Sequence, residues 1–299
     1  MTRLRVLHKT TYVYRRPVNL GAHRLMLRPR ESRDLKILAH HVTVWPQAPL
    51  VWAHDVFGNV VATVTFAGMT DSLVIDAMSE VQLDASDWPV FPIAASAIAY
   101  PFRYQADEWT DLGALTVPQY PDGRLQAWTR GFVRADGIDT LSMLKDLSEG
   151  VSAAVQYQSR EEEGTQSPDH TLGRGWGSCR DFAVLFVEAV RSLGFGARIV
   201  SGYLHNPAQI LAGTAGASST HAWGEVFVPG AGWIAFDPTN RHVGAGNLIP
   251  VAVGRSIQQV MPVTGSFVGG GDALEAMNVE VRVEAEGRRA DVISAAGPI

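Results

Sequence analysis

The spacing of apolar residues changes once along this chain, near residue 95, and this change limits the fold more than any other feature. Before it, apolar and polar residues alternate over 38–45, and a Val- and Thr-rich run over 60–66 follows a Gly-Asn turn. Such patterns are typical of strands with one buried face. Comparable runs occupy 4–14, 23–27 and 73–83. Strands that recur this closely predict an N-terminal β-sandwich domain over residues 1–95.

Beyond residue 95 the pattern becomes helical. Prolines scattered over 86–123 interrupt both helices and strands and predict a connecting region. Apolar residues then recur at helical spacing, at Leu125, Trp128 and Phe132 and again at Leu141, Leu144, Leu147, Val151 and Val155. The polar stretch 159–175 predicts a mobile loop, and 277–284 alternates as a terminal strand. The chain is therefore predicted to be α+β, with a second domain over 96–299 that ends in a C-terminal strand.

Composition excludes several classes of protein. Hydrophobic residues at 46% and charged residues at 18% are ordinary for a globular chain. The formal net charge of −5 removes the attraction to phosphate that nucleic-acid binders use. A single cysteine cannot form an intrachain disulfide, which favours the cytoplasm. The first residues lack the apolar core of a signal peptide and the longest central apolar run is short, so we expect no membrane role.

The single cysteine, Cys179, begins an amphipathic segment. Apolar residues after it recur at intervals of three and four up to Gly194, which predicts a helix that ends there. Ser178 is a suitable N-cap, and Asp181 suits the positive end of the helix dipole. We therefore expect the thiol at a helix N-terminus, where the dipole favours the thiolate. A lone cysteine is also commonly a small buried apolar residue, and the residues alone leave this alternative open.

A histidine and an aspartate lie on the next predicted hairpin. Residues 221–228 alternate as a strand, 229–232 turn, and 233–237 run back. His221 can accept the proton of a thiol, and Asp237 can fix the imidazole. For the two to lie directly opposite, the hairpin must be centred before its obvious loop, so a bulge or a skewed loop is expected. Taken singly, His221 also fits an ordinary strand histidine, and Asp237 a turn aspartate.

Four blocks of the sequence follow the order found in the bacterial branch of the transglutaminase-like superfamily, which the chain resembles. They are GSCRDFA at 177–183, LGFGARIVSGYL at 193–204, HAWGEVFVPGAGWIAFDPTN at 221–240 and VAVGR at 251–255. The front part, from LRVLHKTTYVY through HRLMLRPR to AHDVFGNVVATVTF, resembles the β-rich domain that precedes the catalytic core in that branch. The resemblance covers most of the chain and is weakest over 86–123 and in the C-terminal tail.

The resemblance implies a papain-like α+β core, in which a helix that carries the nucleophile packs on an antiparallel sheet. Carried over by motif, Cys179 corresponds to the nucleophile, His221 to the general base and Asp237 to the acid that orients it. Residues 198–204 would form a strand of the sheet beside the active site. The triad shows no departure from the family pattern.

Other residues near the cysteine have expected roles. The oxyanion would bind the backbone N–H of Cys179 and one side-chain donor. The candidates for that donor are Trp176, Tyr157 and Gln158. Arg180 and Asp181 also belong to the family motif, and we expect them to form a helix-start ion pair or cap.

These residues would support acyl transfer through a thioester. The thiolate attacks a peptide or carboxamide carbonyl, an amine leaves, and water or a second amine resolves the thioester. We expect mainly hydrolysis, as by a cysteine protease or amidase, because the small and polar residues of 159–175 and 205–220 suggest a site open to water. Amine transfer, as by a protein-glutamine gamma-glutamyltransferase, and a non-catalytic peptide-binding scaffold remain alternatives.

No cofactor and no metal are expected. His40 and His41 are neighbours on a predicted strand and point to opposite faces, so they cannot share a metal ion. The glutamates at 161–163 are typical of a solvated surface rather than of a calcium loop. The expected partner is a protein or peptide substrate, without nucleic acid or membrane. The oligomeric state is not fixed by the sequence.

Overall fold

The alternating residues of the N-terminal part form strands. The computed structural model describes residues 2–86, 89–121, 123–159, 164–205 and 220–285. Its first strands are β1 (Thr2–Leu20), β2 (His23–Leu25), β3 (Leu35–Trp45), β4 (Leu50–His54), β5 (Val60–Val64) and β6 (Met69–Leu83). On β1, Leu4, Val6, His8 and Thr10 are buried and alternate with more exposed residues. The period of two therefore selects which face of the sheet joins the core.

The strands form two antiparallel sheets. β6 pairs with β1 on one side and with β3 on the other, and β5 pairs with β2 and β4. Apolar side chains from both sheets share one buried cluster, which includes Val44, Ala62, Val64, Leu73 and Ile75. This is the β-sandwich that the sequence predicts.

The middle of the chain is mainly helical. Its elements are β7 (Ala99–Tyr100), α1 (Ala106–Leu112), α2 (Gly123–Arg130), β8 (Ile138–Asp139), α3 (Thr140–Ala154), β9 (Gln156–Tyr157), α4 (Pro168–Arg174), β10 (Trp176–Gly177) and α5 (Cys179–Ser192). The predicted helical face of α3 is buried at Leu144, Leu147 and Val151. Within the described ranges, none of the helices has the length and apolar character needed to cross a membrane.

One predicted loop is partly a helix. We expected a mobile loop over 159–175, but Pro168–Arg174 form α4, with Ser167 as the N-cap and Pro168 in the first turn. Proline favours this position because its fixed φ suits a helix start and its missing N–H is not needed there. Residues 160–163, with the glutamate run, lie outside the described residues.

The helix that begins at Cys179 packs on an antiparallel sheet. The strands are β11 (Ala197–Leu204), β12 (Thr220–Val228), β13 (Gly232–Asp237), β14 (His242–Val243) and β15 (Leu248–Gly254), in the spatial order β14-β13-β12-β11-β15. The ring of Phe186 on α5 lies 5.2 Å from that of Phe236 on β13. A Cβ at Gly224 would come within 2.7 Å of Phe186, so this glycine permits the close packing. The predicted α+β class is confirmed.

The C-terminal strand does not belong to this second sheet. The last strands are β16 (Val263–Thr264), β17 (Phe267–Val268) and β18 (Leu274–Ala285). β18 pairs with β1 from Leu4–Ala285 to Tyr14–Leu274, and β16 and β17 pair with β2 and β1. This strand, which the prediction placed in the domain 96–299, thus covers the edge of β1 that β6 leaves open. The boundary near residue 95 stays a prediction.

Candidate active site

A buried carboxylate fixes the start of α5. Asp181 accepts hydrogen bonds from the backbone N of Ser178 at 2.8 Å, from Ser178 Oγ at 2.8 Å and from the backbone N of Gln166 at 2.7 Å. A Cβ at Gly177 would lie 2.8 Å from the Cβ of Asp181, so glycine is needed where the chain passes this carboxylate. Asp181 thus has the cap role expected for it, and it holds Cys179 at the first position of the helix. The thiol is partly exposed.

A short parallel ladder leads into the cysteine. The backbone N of Gln156 donates to Gly175 O at 2.8 Å, and that of Gln158 to Gly177 O at 2.9 Å. The pairing brings Tyr157 beside Cys179: burial raises the pKa of Tyr157, and the charge of Cys179 adds to this effect. The Tyr157 ring also meets Phe182 edge-on, with 6.4 Å between the centroids.

The structure separates the three candidate oxyanion donors. Tyr157 is 51% exposed and lies next to the thiol. Gln158 is exposed, whereas Trp176 is partly buried under the guanidinium of Arg174, 5.2 Å from its ring centroid. The choice among them stays a prediction, with Tyr157 favoured by its place beside Cys179.

His221 and Asp237 meet across the hairpin of β12 and β13. Asp237 Oδ2 lies 2.7 Å from His221 Nε2. The hairpin has neither the bulge nor the skewed loop that a directly opposite pair would need: the ladder runs regularly from Val228–Gly232 to Gly224–Phe236. One step further would place Asp237 opposite Trp223, so Asp237 reaches His221 on the diagonal. Diagonal neighbours two residues apart on one face lie close enough for long side chains to touch.

The Cys179 side chain lies close enough to His221 to affect the pKa of the imidazole. Because Nε2 faces Asp237, the ring nitrogen left for the thiol is Nδ1. Burial lowers the pKa of His221, but the hydrogen bond to Asp237, the interaction with Cys179 and the charges of both residues outweigh it and raise the pKa to about 10. The imidazole therefore holds a proton readily, as a base for the thiol requires.

Asp237 is held in its ionised form. Burial raises the pKa of this carboxyl, but the hydrogen bond and charge of His221, with hydrogen bonds from Asn240, lower it below its ordinary value. Oδ1 accepts from the backbone N of Thr239 at 3.1 Å and of Asn240 at 3.3 Å. Asp237 is thus both the turn aspartate and the partner of the histidine, two interpretations that seemed to compete in the sequence.

Asn240 is a site residue that the sequence reasoning missed. Its Nδ2 donates to Asp237 Oδ2 at 2.7 Å and lies 3.3 Å from His221 Nε2. The available signal was the position of an asparagine three residues after Asp237, since such residues cap turns. Asn240 therefore supports the Asp237 carboxylate, and its side chain forms no hydrogen bond with Cys179 among the described residues.

An aromatic ring backs the histidine. Trp223 stacks on His221 with 6.0 Å between the centroids. A Cβ at Gly202, the β11 residue opposite His221, would lie 2.9 Å from the Trp223 ring and 2.1 Å from Ile249 O. Glycine is therefore required at this position of the sheet.

In the part of the chain that the structure describes, the site residues are not arranged as a metal centre. Within the ranges that the structure describes, no three His, Cys, Asp or Glu side chains are placed to hold a metal ion. His40 pairs with Ser79 Oγ at 2.9 Å, as a strand histidine does. Residues 206–219, most of the second loop expected to open the site, lie outside those ranges.

Two family models match the chain. Residues 4–82 match the bacterial transglutaminase-like N-terminal region, and residues 126–238 match the transglutaminase-like superfamily. An uncharacterised protein of Mycobacterium leprae is 28% identical over 294 residues, which cover 95% of this chain and 98% of that protein. An uncharacterised protein of Mycobacterium tuberculosis is 28% identical over 276 residues, covering 88% and 87%.

A solved structure shares the fold. The crystal structure of a putative cysteine protease from Cytophaga hutchinsonii superposes with a TM-score of 0.73 at 19% identity. The match covers 96% of this chain and 91% of that one. Both the sandwich and the core therefore occur together in a second protein.

Proposed function

This chain is a member of the transglutaminase-like superfamily with a bacterial transglutaminase-like N-terminal region, and from that premise we propose that it is a thiol enzyme that hydrolyses peptide or carboxamide bonds. The observation that carries the proposal is the alignment of Cys179, His221 and Asp237: the imidazole is hydrogen-bonded to the carboxylate, and the thiol acts on the imidazole from its other side. A structural cysteine has no need of a buried imidazole and carboxylate aligned behind it.

The first half of the reaction forms a thioester. His221 Nδ1 takes the thiol proton, and the Cys179 sulfur attacks the carbonyl carbon of the substrate. Negative charge on the carbonyl oxygen is stabilised by the Cys179 N–H, which has no intrahelical acceptor at the first position of a helix. When the C–N bond breaks, the protonated His221 returns its proton to the departing amine or ammonia.

The second half hydrolyses the thioester. His221 takes a proton from water, the oxygen attacks the acyl carbon, and the Cys179 sulfur leaves and recovers the proton. Water is favoured over an incoming amine because Cys179 is partly exposed and Tyr157 beside it is half exposed. An open site gives the more abundant nucleophile the advantage.

A peptide library tests the reaction type. The protein is incubated with a library of fluorescence-quenched peptides that contain glutamine, with and without a labelled primary amine. The products are identified by mass spectrometry. We expect cleavage or deamidation that millimolar putrescine hardly changes. Predominant amine adduct would instead identify a transferase. The Cys179→Ala variant is the control, and equal turnover by it would contradict the thiol mechanism.

The proposal also includes the substrate class and the cellular compartment of the protein. We propose protein or peptide substrates, since a partly exposed nucleophile at a helix start is accessible to an extended chain. We propose the cytoplasm, where a catalytic thiol remains reduced. Cell fractionation with an antibody against the chain tests the location, and a periplasmic or secreted fraction would contradict it.

A further inference from the structure

Several buried side-chain polar atoms near Asp237 have no hydrogen-bond partner among the residues that the structure describes. They are His205 Nδ1, Trp223 Nε1, Thr239 Oγ1 and His242 Nε2. An unpaired buried polar atom costs about 1–3 kcal/mol, and native proteins tolerate few of them. Of these residues, His205 and His242 line a cavity, so their free ring nitrogens can be satisfied by a bound group.

Sheet pairing explains why two histidines flank the carboxylate. His242 on β14 is the register partner of Asp237 on β13. The backbone N of His205, at the end of β11, donates to Asn247 O at 2.9 Å, which draws His205 to the same side. His205 is only 7% exposed, so its unpaired ring nitrogen faces the interior.

His205 and His242 line a small cavity that shares part of its lining with a larger one. The inner cavity, of about 230 Å³, is bordered by His205, Asp237, Asn240, His242 and Asn247. The outer cavity, of about 510 Å³, shares His242 and Asn247 and adds Lys145, Glu149 and Arg241. The inner space alone holds several waters or a small organic group.

Arg241 has a strained backbone. It is the one non-glycine residue with positive φ, at 54°, in the ranges that the structure describes. Glycine or asparagine would adopt this conformation more easily. Residues in such conformations are concentrated at functional sites, which makes Arg241 a candidate for a binding role. Neither Arg241 nor Lys145 forms an ion pair with any described residue, so both cations are available at the outer cavity.

We propose that the two cavities bind a carboxylate group beside the triad. Arg241 and Lys145 attract it at the entrance, and the ring N–H groups of His205 and His242 donate to it inside. A carboxylate only accepts hydrogen bonds, which suits these donors. A monoanion fits better than a phosphate, because Glu149 and Asp237 border the same space and repel a second negative charge. The carboxylate belongs either to the substrate or to a small free acid.

Histidine NMR tests this site without turnover. Cys179→Ala protein labelled with ¹⁵N-histidine is titrated with four probes: succinate, a neutral peptide with a free C-terminus, the same peptide amidated, and the amidated peptide with one glutamate. We expect the His205 and His242 signals to shift with carboxylate probes and not with the neutral amide. A response to succinate alone identifies a free acid, and a response to peptides identifies the substrate. No shift with any carboxylate, or an equal shift with the neutral amide, would overturn the proposal.

A pair of variants separates binding from folding. Arg241→Gly removes the charge and the positive-φ strain, so we expect a higher Tm together with carboxylate binding weaker by about tenfold or more. Arg241→Lys keeps the charge and should retain most of the affinity. Binding by Arg241→Gly that equals that of the parent would refute the role of Arg241. The inference builds on the proposed function only in linking the site to a substrate, and because these assays need no catalysis, their failure is distinct from a failure of the thiol mechanism.

Discussion

Two buried histidines lie against the same strand, β11, and their pKa values are shifted in opposite directions. His8, on β1, lies 2.9 Å from Tyr203 Oη and 3.0 Å from Thr10 Oγ1. His221, on β12, is bonded to the Asp237 carboxylate. Tyr203 directly follows Gly202, the residue opposite His221, so β11 touches both histidines. Burial lowers the pKa of His8 to about 4, whereas carboxylate and thiol raise that of His221 to about 10.

The difference teaches that burial does not decide what a histidine does. Both rings are nearly inaccessible, at 1% and 7% exposure. The neutral hydroxyls around His8 satisfy its nitrogens without stabilising a charge, which makes it a fixed contact between β1 of the sandwich and β11 of the core. The ionised carboxylate of Asp237 stabilises the protonated ring of His221, and a reaction at the Cys179 thiol requires such a ring.

Removal of the thiol should have the largest effect. Cys179→Ser should lower activity by roughly 10⁴-fold or more, because a serine hydroxyl is a far poorer nucleophile beside a base suited to a thiol. The fold should remain, since Cys179 stands at a helix start and is partly exposed. Activity is measured on any peptide found in the library assay, and Tm by calorimetry. Retention of half the activity would make Cys179 a packing residue.

The two histidines should differ next in their effect on rate. His221→Ala should lower kcat by roughly 10²–10⁴-fold, as expected for loss of a positioned general base. Asp237→Ala should lower it less, because some orientation of the ring can be recovered. His8→Gln is the matched control, and we expect it to keep kcat within about threefold. A larger loss for Asp237→Ala than for His221→Ala would reverse the assigned roles.

Local chemistry made the position of Cys179 at a helix start predictable. The helix start at Cys179 follows from Ser178, Asp181 and the spacing of apolar residues after them, all within one stretch of chain. The strands β12 and β13 were likewise predictable from the alternation of residues within one stretch of chain. The sequence thereby located all three members of the proposed triad and the elements that carry them.

Features that depend on register or on distant pairing were not predictable. The diagonal contact of Asp237 with His221 depends on where the hairpin turns, which one residue can shift. The pairing of β18 with β1 joins the two ends of the described chain. Nothing near His8 in sequence indicates that Tyr203 binds it, since the two are 195 residues apart. The position of Asn240, three residues after Asp237, indicated a turn residue, but its contacts with Asp237 and His221 depend on side-chain direction, which the sequence does not show.

The two histidines should also limit stability at opposite ends of the pH scale. Unfolded His8 binds a proton near pH 6.5 but folded His8 only near pH 4, so acid favours the unfolded chain over this window and stability falls by about 3 kcal/mol as pH drops. His221 has the opposite sign: its contribution is complete below pH 6.5 and disappears as pH rises towards 10. Urea unfolding from pH 4 to 9 measures both slopes.

Variants assign each slope to its residue. His8→Gln should flatten the acid slope and leave the alkaline one, and His221→Gln should do the reverse. Equal acid slopes in the parent and in His8→Gln would show that His8 does not control acid stability. If His221→Gln leaves the alkaline slope unchanged, the carboxylate does not hold the proton on the ring.

The smallest expected effect comes from the residue that supports the carboxylate. Asn240→Ala removes the Nδ2 hydrogen bond to Asp237 Oδ2, which helps to lower the pKa of that carboxyl. The bond is worth about 1–2 kcal/mol, so kcat should fall by roughly tenfold while KM changes little. The pKa of Asp237 should rise, and since Asp237 must be ionised, the acid limb of the rate profile should move to higher pH.

Thr239→Ala is the control, because Thr239 bonds Asp237 through its backbone N and its Oγ1 has no partner among the described residues. An equal loss in both variants, or a loss without a shift of the acid limb, would make Asn240 a turn residue only. The raised pKa of His221 would then rest on Asp237 without a supporting neighbour.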